Sequence, residues 1–402
     1  MPNTPRVPGF TRREACMLGA AALLTACERS PAPPPSPVAT GPAAPPPPAQ
    51  ATRSIVVYCS ADSDLARPVF EAFTKQTGVA VNPVFDTEAT KTTGLVSRLL
   101  LEKGRARADA CWFSEPFGAI RLARAGVLED SSCVAAERAM EGKGGWPRVL
   151  RDQQWKEPGA GSAAGPRWYG FGSRARVVGY NTKAVAREDA PTAYGMFLRE
   201  EFEGRVGMAR PQFGTTRGHM AILADTLGRG ALGDLLVAMK NNGLRVYDGN
   251  GAVARAIGNG EIHVGLVDSD DVFAGQREGW PIGMAFIRCP NPMAKRVTRE
   301  NPQWGELQRV AKTGTILLPN TVSRVRGGQN LKDAGGFVEF LLSPAMQRVL
   351  AAGEARNVPV DPELRAELST WLPPGDDLVD IDFVEAAEAM DGAMGVCERV
   401  FG

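Results

Sequence analysis

Between Ser54 and Val267, short apolar runs alternate with helical patterns, and that alternation limits the fold more than any other feature. Ser54 to Cys59 (SIVVYC) reads as a buried strand. Asp62 to Asp64 then offers caps for a helix with Pro68 in an early turn and Val69, Phe70 and Phe73 as its buried stripe. Thr77-Gly78 stops it, and Val79 to Phe85 (VAVNPVF) is the next strand. A second helix carries Leu95, Val96, Leu99 and Leu100 on one face, and Asp109 to Phe113 (DACWF) is another buried strand. The pattern recurs: a strand at Arg205 to Ala209, a helix after Thr215, a strand at Leu244 to Tyr247, a helix around Val253 to Ile257, and a strand at His263 to Val267. This predicts two α/β lobes, each a mostly parallel sheet flanked by helices, with no sequence repeat between them.

Ligands of such sheets bind beyond the carboxyl ends of the strands, so the residues just after each strand carry the functional information. They are Ser60 to Asp62, Asp86 to Glu88, Ser114-Glu115, Arg210 to Arg217, Asp248 to Asn250, and Asp268 to Asp271. Acids and small polar groups dominate. A cluster of Asp62, Glu115, Asp270 and Asp271 would repel itself when empty, which favours a cation or an ammonium-bearing solute. Gly214-Thr215-Thr216-Arg217 opens a helix and supplies free N–H groups, hydroxyls and a guanidinium for an anion. Lys91-Thr92-Thr93 is an independent candidate for anion or carboxylate contact. With both kinds of group present, a zwitterionic solute or an anion travelling with a metal also fits.

The N-terminus speaks to location. Arg12-Arg13 leads into a short apolar run from Ala15 to Ala26, ending in Leu24-Thr25-Ala26-Cys27. It is too short to span a bilayer and reads as an export signal over residues 1–27, by the Sec or Tat route. The ending resembles a bacterial lipobox, in which Cys27 would carry the lipid anchor. Residues 28–52 form a tether whose stretch 31–50 is half proline without charge, so it predicts a stiff, extended spacer. This arrangement places a membrane-anchored body in the periplasm or another extracytoplasmic space.

That body, from Arg53 to Gly402, is too long for one core. A net charge of +1 gives no basis for nucleic-acid binding. Beyond Cys16 and Cys27 the five cysteines (Cys59, Cys111, Cys133, Cys289 and Cys397) lack metal-site spacing, and their odd number leaves at least one unpaired within the chain. Cys59 and Cys111 read as small core residues, with a bridge between them left open.

The blocks VVYCSADSDLARPVFEAFTKQTGV, RADACWFSEPFGAIRLARAGVLE, RARVVGYNTKAV, PQFGTTRGHMAIL, YDGNGAVARAIGNGEIHVGLVDSDD and GGFVEFLLSPAMQRVLAAGEARNVPV occur in that order. Together they resemble the ferric-iron-type solute-binding proteins of ABC importers, over about residues 54 to 370. The resemblance implies a two-lobed, class II Venus-flytrap binding protein, acting as a monomer, closing around a small ligand or metal and delivering it to a permease driven by an ATPase. It implies lobe 1 at 53–160 plus 310–352, and lobe 2 at 161–309 plus 353–402. It also implies Fe³⁺ as the transported ligand, with a synergistic anion. Of four metal positions only Glu115 matches in type, while Asp62 stands in place of a histidine and Asp270-Asp271 in place of paired tyrosines. Carboxylates remain hard oxygen donors, less selective for iron than phenolates. Thr215, Thr216, Arg217 and Asn250 fall on the anion side, and Asp268 replaces an asparagine there; Thr92 belongs to the independent candidate above.

Plainer roles compete. Asp62, Asp64, Asp268, Asp270 and Asp271 serve as helix caps, Glu115 serves a helix dipole, and Arg217 is a surface charge. His219 and His263 read as helix-face and strand residues, and Trp112, Trp168, Tyr169 and Trp280 as core. Within the binding-protein class, a small organic or phosphate-like solute is the alternative cargo. Outside it, Gly249 to Ala254 (GNGAVA) fits G-x-G-x-x-A with Asp268 about 20 residues on, the pattern of a nucleotide-dependent oxidoreductase. Its depth in the chain and an exported location speak against that enzyme, and no hydrolase motif occurs.

Overall fold

The computed structural model describes residues 53–87, 90–143, 146–147, 150, 165–290, 313–373, 377–379 and 381–402. Arg12-Arg13, Cys27, the proline tether, Glu88 and the expected boundaries at 160 and 309 lie outside them.

Lobe 1 begins with the expected alternation: β1 (Arg53–Cys59), α1 (Ser63–Thr77), β2 (Val79–Phe85), α2 (Thr93–Leu101), β3 (Ala110–Phe113), α3 (Pro116–Arg124) and the short α4 (Val134–Ala139). β1 pairs in parallel with β2 on one side and β3 on the other. The stripe of α1 is buried as its spacing requires, and Gly78 ends the helix at φ 69°, a left-handed conformation glycine adopts without strain. Pro68 sits inside α1 rather than in its opening turn.

β4 (Tyr169–Asn181) is buried along its whole length and crosses between lobes. Lobe 2 then builds β5 (Val206–Ala209), α5 (Gly214–Leu227), α6 (Arg229–Asn241), β6 (Arg245–Tyr247), α7 (Asn250–Gly258), β7 (Val264–Asp268), α8 (Ser269–Arg277) and β8 (Ile282–Phe286). After β9 (Cys289–Pro290), β10 (Thr313–Arg324) returns. α9 (Leu331–Leu342) and α10 (Pro344–Ala352) follow, then α11 (Pro362–Leu368), β11 (Leu378–Val379), α12 (Phe383–Glu388) and α13 (Met390–Phe401).

The strand order is β2-β1-β3-β10-β4-β7-β5-β6. β4 pairs with β10 from Tyr169 to Ala175, then with β7 and β8 from Arg176 onward, so one strand belongs to both lobes. β5 lies parallel to β6 and β7, β4 runs antiparallel to its neighbours, and β10 runs antiparallel to β3, β4 and β9 but parallel to β11. Each lobe is therefore an α/β unit with a parallel set of three strands, joined by two crossing strands. Separate apolar clusters fill them: Val57, Phe73, Trp112 and Phe337 in lobe 1, and Val177, Val253, Ile257 and Val267 against β4 in lobe 2. A third cluster, including Phe117, Met220 and Phe383, runs between α3, α5 and the C-terminal helices. The five cysteines are buried free thiols, and no described helix is long and apolar enough to cross a membrane.

Candidate functional site

The carboxyl ends of β1, β3, β5, β6 and β7 converge on a cleft between the lobes. Lobe 1 contributes Asp62, Lys91 and Ser114; lobe 2 contributes the start of α5, the start of α7, and Asp268, Asp270 and Asp271, while Arg174 enters from the crossing strand. The lobes touch across the cleft. The Gly214 N–H donates to the Lys91 carbonyl at 3.3 Å, and Gly218 of α5 lies so close to Phe117 of α3 that a Cβ would stand 2.5 Å from the ring. The space left is about 40 Å³, room for a few waters or a small ion but not for a sizeable organic solute.

Three acids crowd this space: Asp268, Asp270 and Asp271 bring carboxylate oxygens within 4.8 Å of one another. Their situations differ. Asp268 is buried and spoken for, accepting hydrogen bonds from Arg176 Nη1 (3.0 Å), Thr215 Oγ1 (2.5 Å) and Asn250 Nδ2 (3.1 Å). Asp271 accepts from the backbone N–H of Asp268 at 3.1 Å, closing the first turn of α8. Asp270 stands 3.7 Å from Arg174 Nε, and its Oδ1 has no hydrogen-bond partner among the described residues. Burial, helped by the neighbouring aspartates, raises the carboxyl of Asp270 and lifts Asp271 well above the carboxylate range. A cation entering this space would compete with protons for these carboxylate oxygens.

Arg176 organises the rest. It is fully buried and donates to His219 Nδ1 (3.2 Å), Asn250 Oδ1 (3.2 Å), Asp268 and Thr216 Oγ1 (3.0 Å). Because Nδ1 of His219 accepts, its Nε2 carries the proton and donates to the Tyr194 hydroxyl at 2.6 Å. Burial, then the Arg176 charge, pushes His219 far below its usual range, so it stays neutral. His219 lies on α5 and braces Arg176. Arg174 is fixed by Asn320 of β10 (Nη2 to Oδ1, 2.8 Å), and its Nε is left without a hydrogen bond.

Asp62 lies at the lobe 1 rim, half exposed and paired with Lys91 at 2.6 Å; its side chain makes no cap hydrogen bond to α1. Glu115 is not among the cleft-lining residues. Its carboxylate accepts from the backbone N–H groups of Phe117 (2.6 Å) and Gly118 (3.0 Å), capping α3. Burial raises it to about 7 against the pull of Arg217, which sits on the flank of α5 facing it. Thr92 is buried behind Lys91, its hydroxyl 2.9 Å from Ser60 Oγ, with a left-handed φ of 68° that a β-branched residue rarely adopts. Thr215, Thr216 and Asn250 do line the cleft. The starts of α5 and α7 have no side-chain caps, since Phe213 and Gly249 occupy the cap positions. Both helices therefore present free N–H groups and positive dipole ends.

Neither Arg174 nor Arg176 falls in a recognisable sequence motif. The available signal was two arginines at i, i+2 in the apolar run YGFGSRARVVGYN, which places both on one face of a buried strand.

Two lobes joined by crossing strands enclose a small cleft lined by polar side chains and uncapped helix ends, the architecture of a solute-binding protein. The chain belongs to the family of bacterial extracellular solute-binding proteins, whose model matches residues 69–371. It is thus a substrate-binding protein of an ABC importer, not an enzyme. The major ferric iron-binding protein of Neisseria meningitidis is 26% identical over 314 residues, covering 78% of this chain and 83% of that protein. The iron-bound HitA structure from Pseudomonas aeruginosa superposes with a TM-score of 0.65 at 19% identity, over 87% of this chain and all of the other. AfuA from Actinobacillus pleuropneumoniae, with fructose-6-phosphate bound, gives 0.64 at 18% identity, over 87% of this chain and 97% of its own. At such identities the two structures speak to the fold.

Proposed function

We propose that the chain captures ferric iron, or a ferric complex, together with an anion, and hands it to an ABC permease from a lipid-anchored position outside the cytoplasm. The observation that carries this reading is the unpartnered Oδ1 of Asp270 beside Asp271, two crowded hard-oxygen donors that burial and mutual repulsion hold above their ordinary range. A trivalent cation offers the largest relief of that repulsion. Asp62 on the opposite lobe supplies a third donor, which ties binding to closure. Glu115 acts from behind, capping α3 and facing Arg217, so its role is to position the lobe contact. The free N–H groups of α5 and α7 receive the anion, while Thr215, Thr216 and Asn250, whose side-chain hydrogens go to Asp268 and to one another, hold that wall in place. The proline-rich tether and Cys27 would hold the body at the membrane surface. Ferric binding by curated relatives supports the same cargo.

A second reading has its own support. Lys91 and Arg174 line the cleft beside the acids, so its walls carry both signs of charge. That suits a phosphorylated or zwitterionic solute, and a structural neighbour holds fructose-6-phosphate.

A thermal-shift panel on chelator-stripped protein separates the two. Fe³⁺ supplied as citrate, Ca²⁺, phosphate, simple amines and a sugar phosphate form the panel. A ligand at about 100 times its Kd adds about 2.7 kcal/mol, a readily measured shift. A response to ferric iron, enhanced by an anion, is expected. A flat iron response with a shift from the sugar phosphate would replace the first reading with the second.

A further inference from the structure

A second cavity, of about 570 Å³, shares Asp62, Asp270 and Asp271 with the cleft and extends away from it between α1, α8 and α10. It has an apolar stretch, from Leu65 and Val69 of α1, Ala274 of α8 and Met346 and Leu350 of α10, flanked by charged groups that include Asp64. Arg277 and Glu354 also line it, paired at 3.1 Å and largely exposed to solvent, and Arg277 also donates to the Glu354 carbonyl. The aspartates thus form a shared wall, with a space of about 40 Å³ on one side and an organic-sized apolar groove on the other.

The donor count points the same way. A hard cation in octahedral oxygen coordination needs about six donors. Asp268 is committed to Arg176, Thr215 and Asn250, and Asp62 is already paired with Lys91. One oxygen each from Asp62, Asp270 and Asp271 leaves roughly half the positions to be filled by what the cation brings. The small space, with the buried Arg174 Nε on its wall making no hydrogen bond, admits only a compact anion. The groove, at 570 Å³, falls in the range of ligand pockets, about 300–1,000 Å³.

Resting on the ferric reading above, we infer that the cargo is a ferric chelate whose oxygen donors complete the metal's coordination from the groove side and whose apolar arm lies along Leu65, Val69, Ala274 and Leu350. The acids select the cation, and the groove selects the organic ligand that carries it. Discrimination among iron complexes then comes from the apolar walls as well as from the carboxylates.

Ferric acetohydroxamate and ferric benzohydroxamate test this, because they offer the same oxygen pair and differ only in a methyl or a phenyl arm. Calorimetric titration of the purified protein should show the benzohydroxamate complex binding at least about tenfold tighter, from the extra apolar area buried. Ala274→Phe fills the groove from α8 and Ala72→Phe fills it from α1. Each should erase that preference while leaving the response to Fe³⁺ in phosphate buffer unchanged, which also certifies the fold. Equal affinities for the two complexes in the wild type, or a preference that survives both fillings, would overturn the inference while leaving ferric binding in place. Failure of Fe³⁺ to bind in any form, with or without phosphate, would instead remove the ferric reading beneath it.

Discussion

Replacing Arg176 with methionine isolates the brace that sets the lobe 2 wall. The guanidinium is fully buried and makes four hydrogen bonds, one of them to Asp268 at 3.0 Å. Methionine fills much of the same volume but leaves the Asp268 carboxylate buried with only Thr215 and Asn250 as donors. Removing one partner of a buried pair costs about 3–5 kcal/mol. At an unfolding entropy of about 2.1 cal/mol/K per residue, a body of about 350 residues converts this into a Tm loss of about 4–7 °C. The assay is calorimetric or fluorescence-monitored unfolding at pH 7.5, for Arg176→Met, Asp268→Asn and the pair together. The double variant should recover more than half of the loss at pH 7.5. A Tm within about 1 °C of wild type for Arg176→Met, or no rescue by Asp268→Asn, would refute the view that Asp268 is a structural anion held by Arg176.

Two further outcomes bear on closure and on Glu115. Gly218→Ala places a Cβ 2.5 Å from the Phe117 ring, which is itself packed edge-on against Phe383 at 6.0 Å; overpacking of about 1–3 kcal/mol should fall on the closed form and weaken ligand binding about tenfold or more, read by titration, with the unliganded Tm little changed. Glu115 is raised from 4.5 to about 7 by burial, so its ionisation costs stability that is intact below about pH 4.5 and lost as pH rises through 7. Glu115→Gln should therefore unfold at higher temperature than wild type at pH 8 and show no such gain at pH 4.5. An equal difference at both pH values would contradict that cause.

The sequence made the alternating elements legible because strand and helix periods are local: the buried stripe Val69, Phe70 and Phe73 and the runs SIVVYC and DACWF appear where their spacing placed them. β4 and β10 escaped that reading for a physical reason. β4 is buried on both faces, so it shows no alternation, and it carries Arg174 and Arg176, charges that mimic a surface strand until partners are known. Loop positions gave the candidate acids, since ligand groups follow the strand ends. Their pairing was not legible. Lys91 meets Asp62 across 29 residues and Arg176 meets Asp268 across 92, separations that only the assembled sheet brings together. Glu115 shows the same limit from the other side: its place after β3 was readable, but its turn inward to cap α3 was not. The GNGAVA segment, which mimics a dinucleotide fingerprint, opens α7 and commits Asn250 to Thr215 and Asp268.

Calorimetric titration of chelator-stripped protein with Fe³⁺ in phosphate buffer, wild type beside Asp270→Ala/Asp271→Ala, bears most directly on the proposed capture of a cation between the lobes. Saturable one-to-one binding is expected in the wild type. It should vanish in the double variant while cooperative unfolding is retained, the lost Asp271 cap of α8 and the lost Asp270 partner of Arg174 offsetting the relief of removing two crowded acids. Undiminished ferric binding in that variant, or no ferric binding in the wild type, would contradict it.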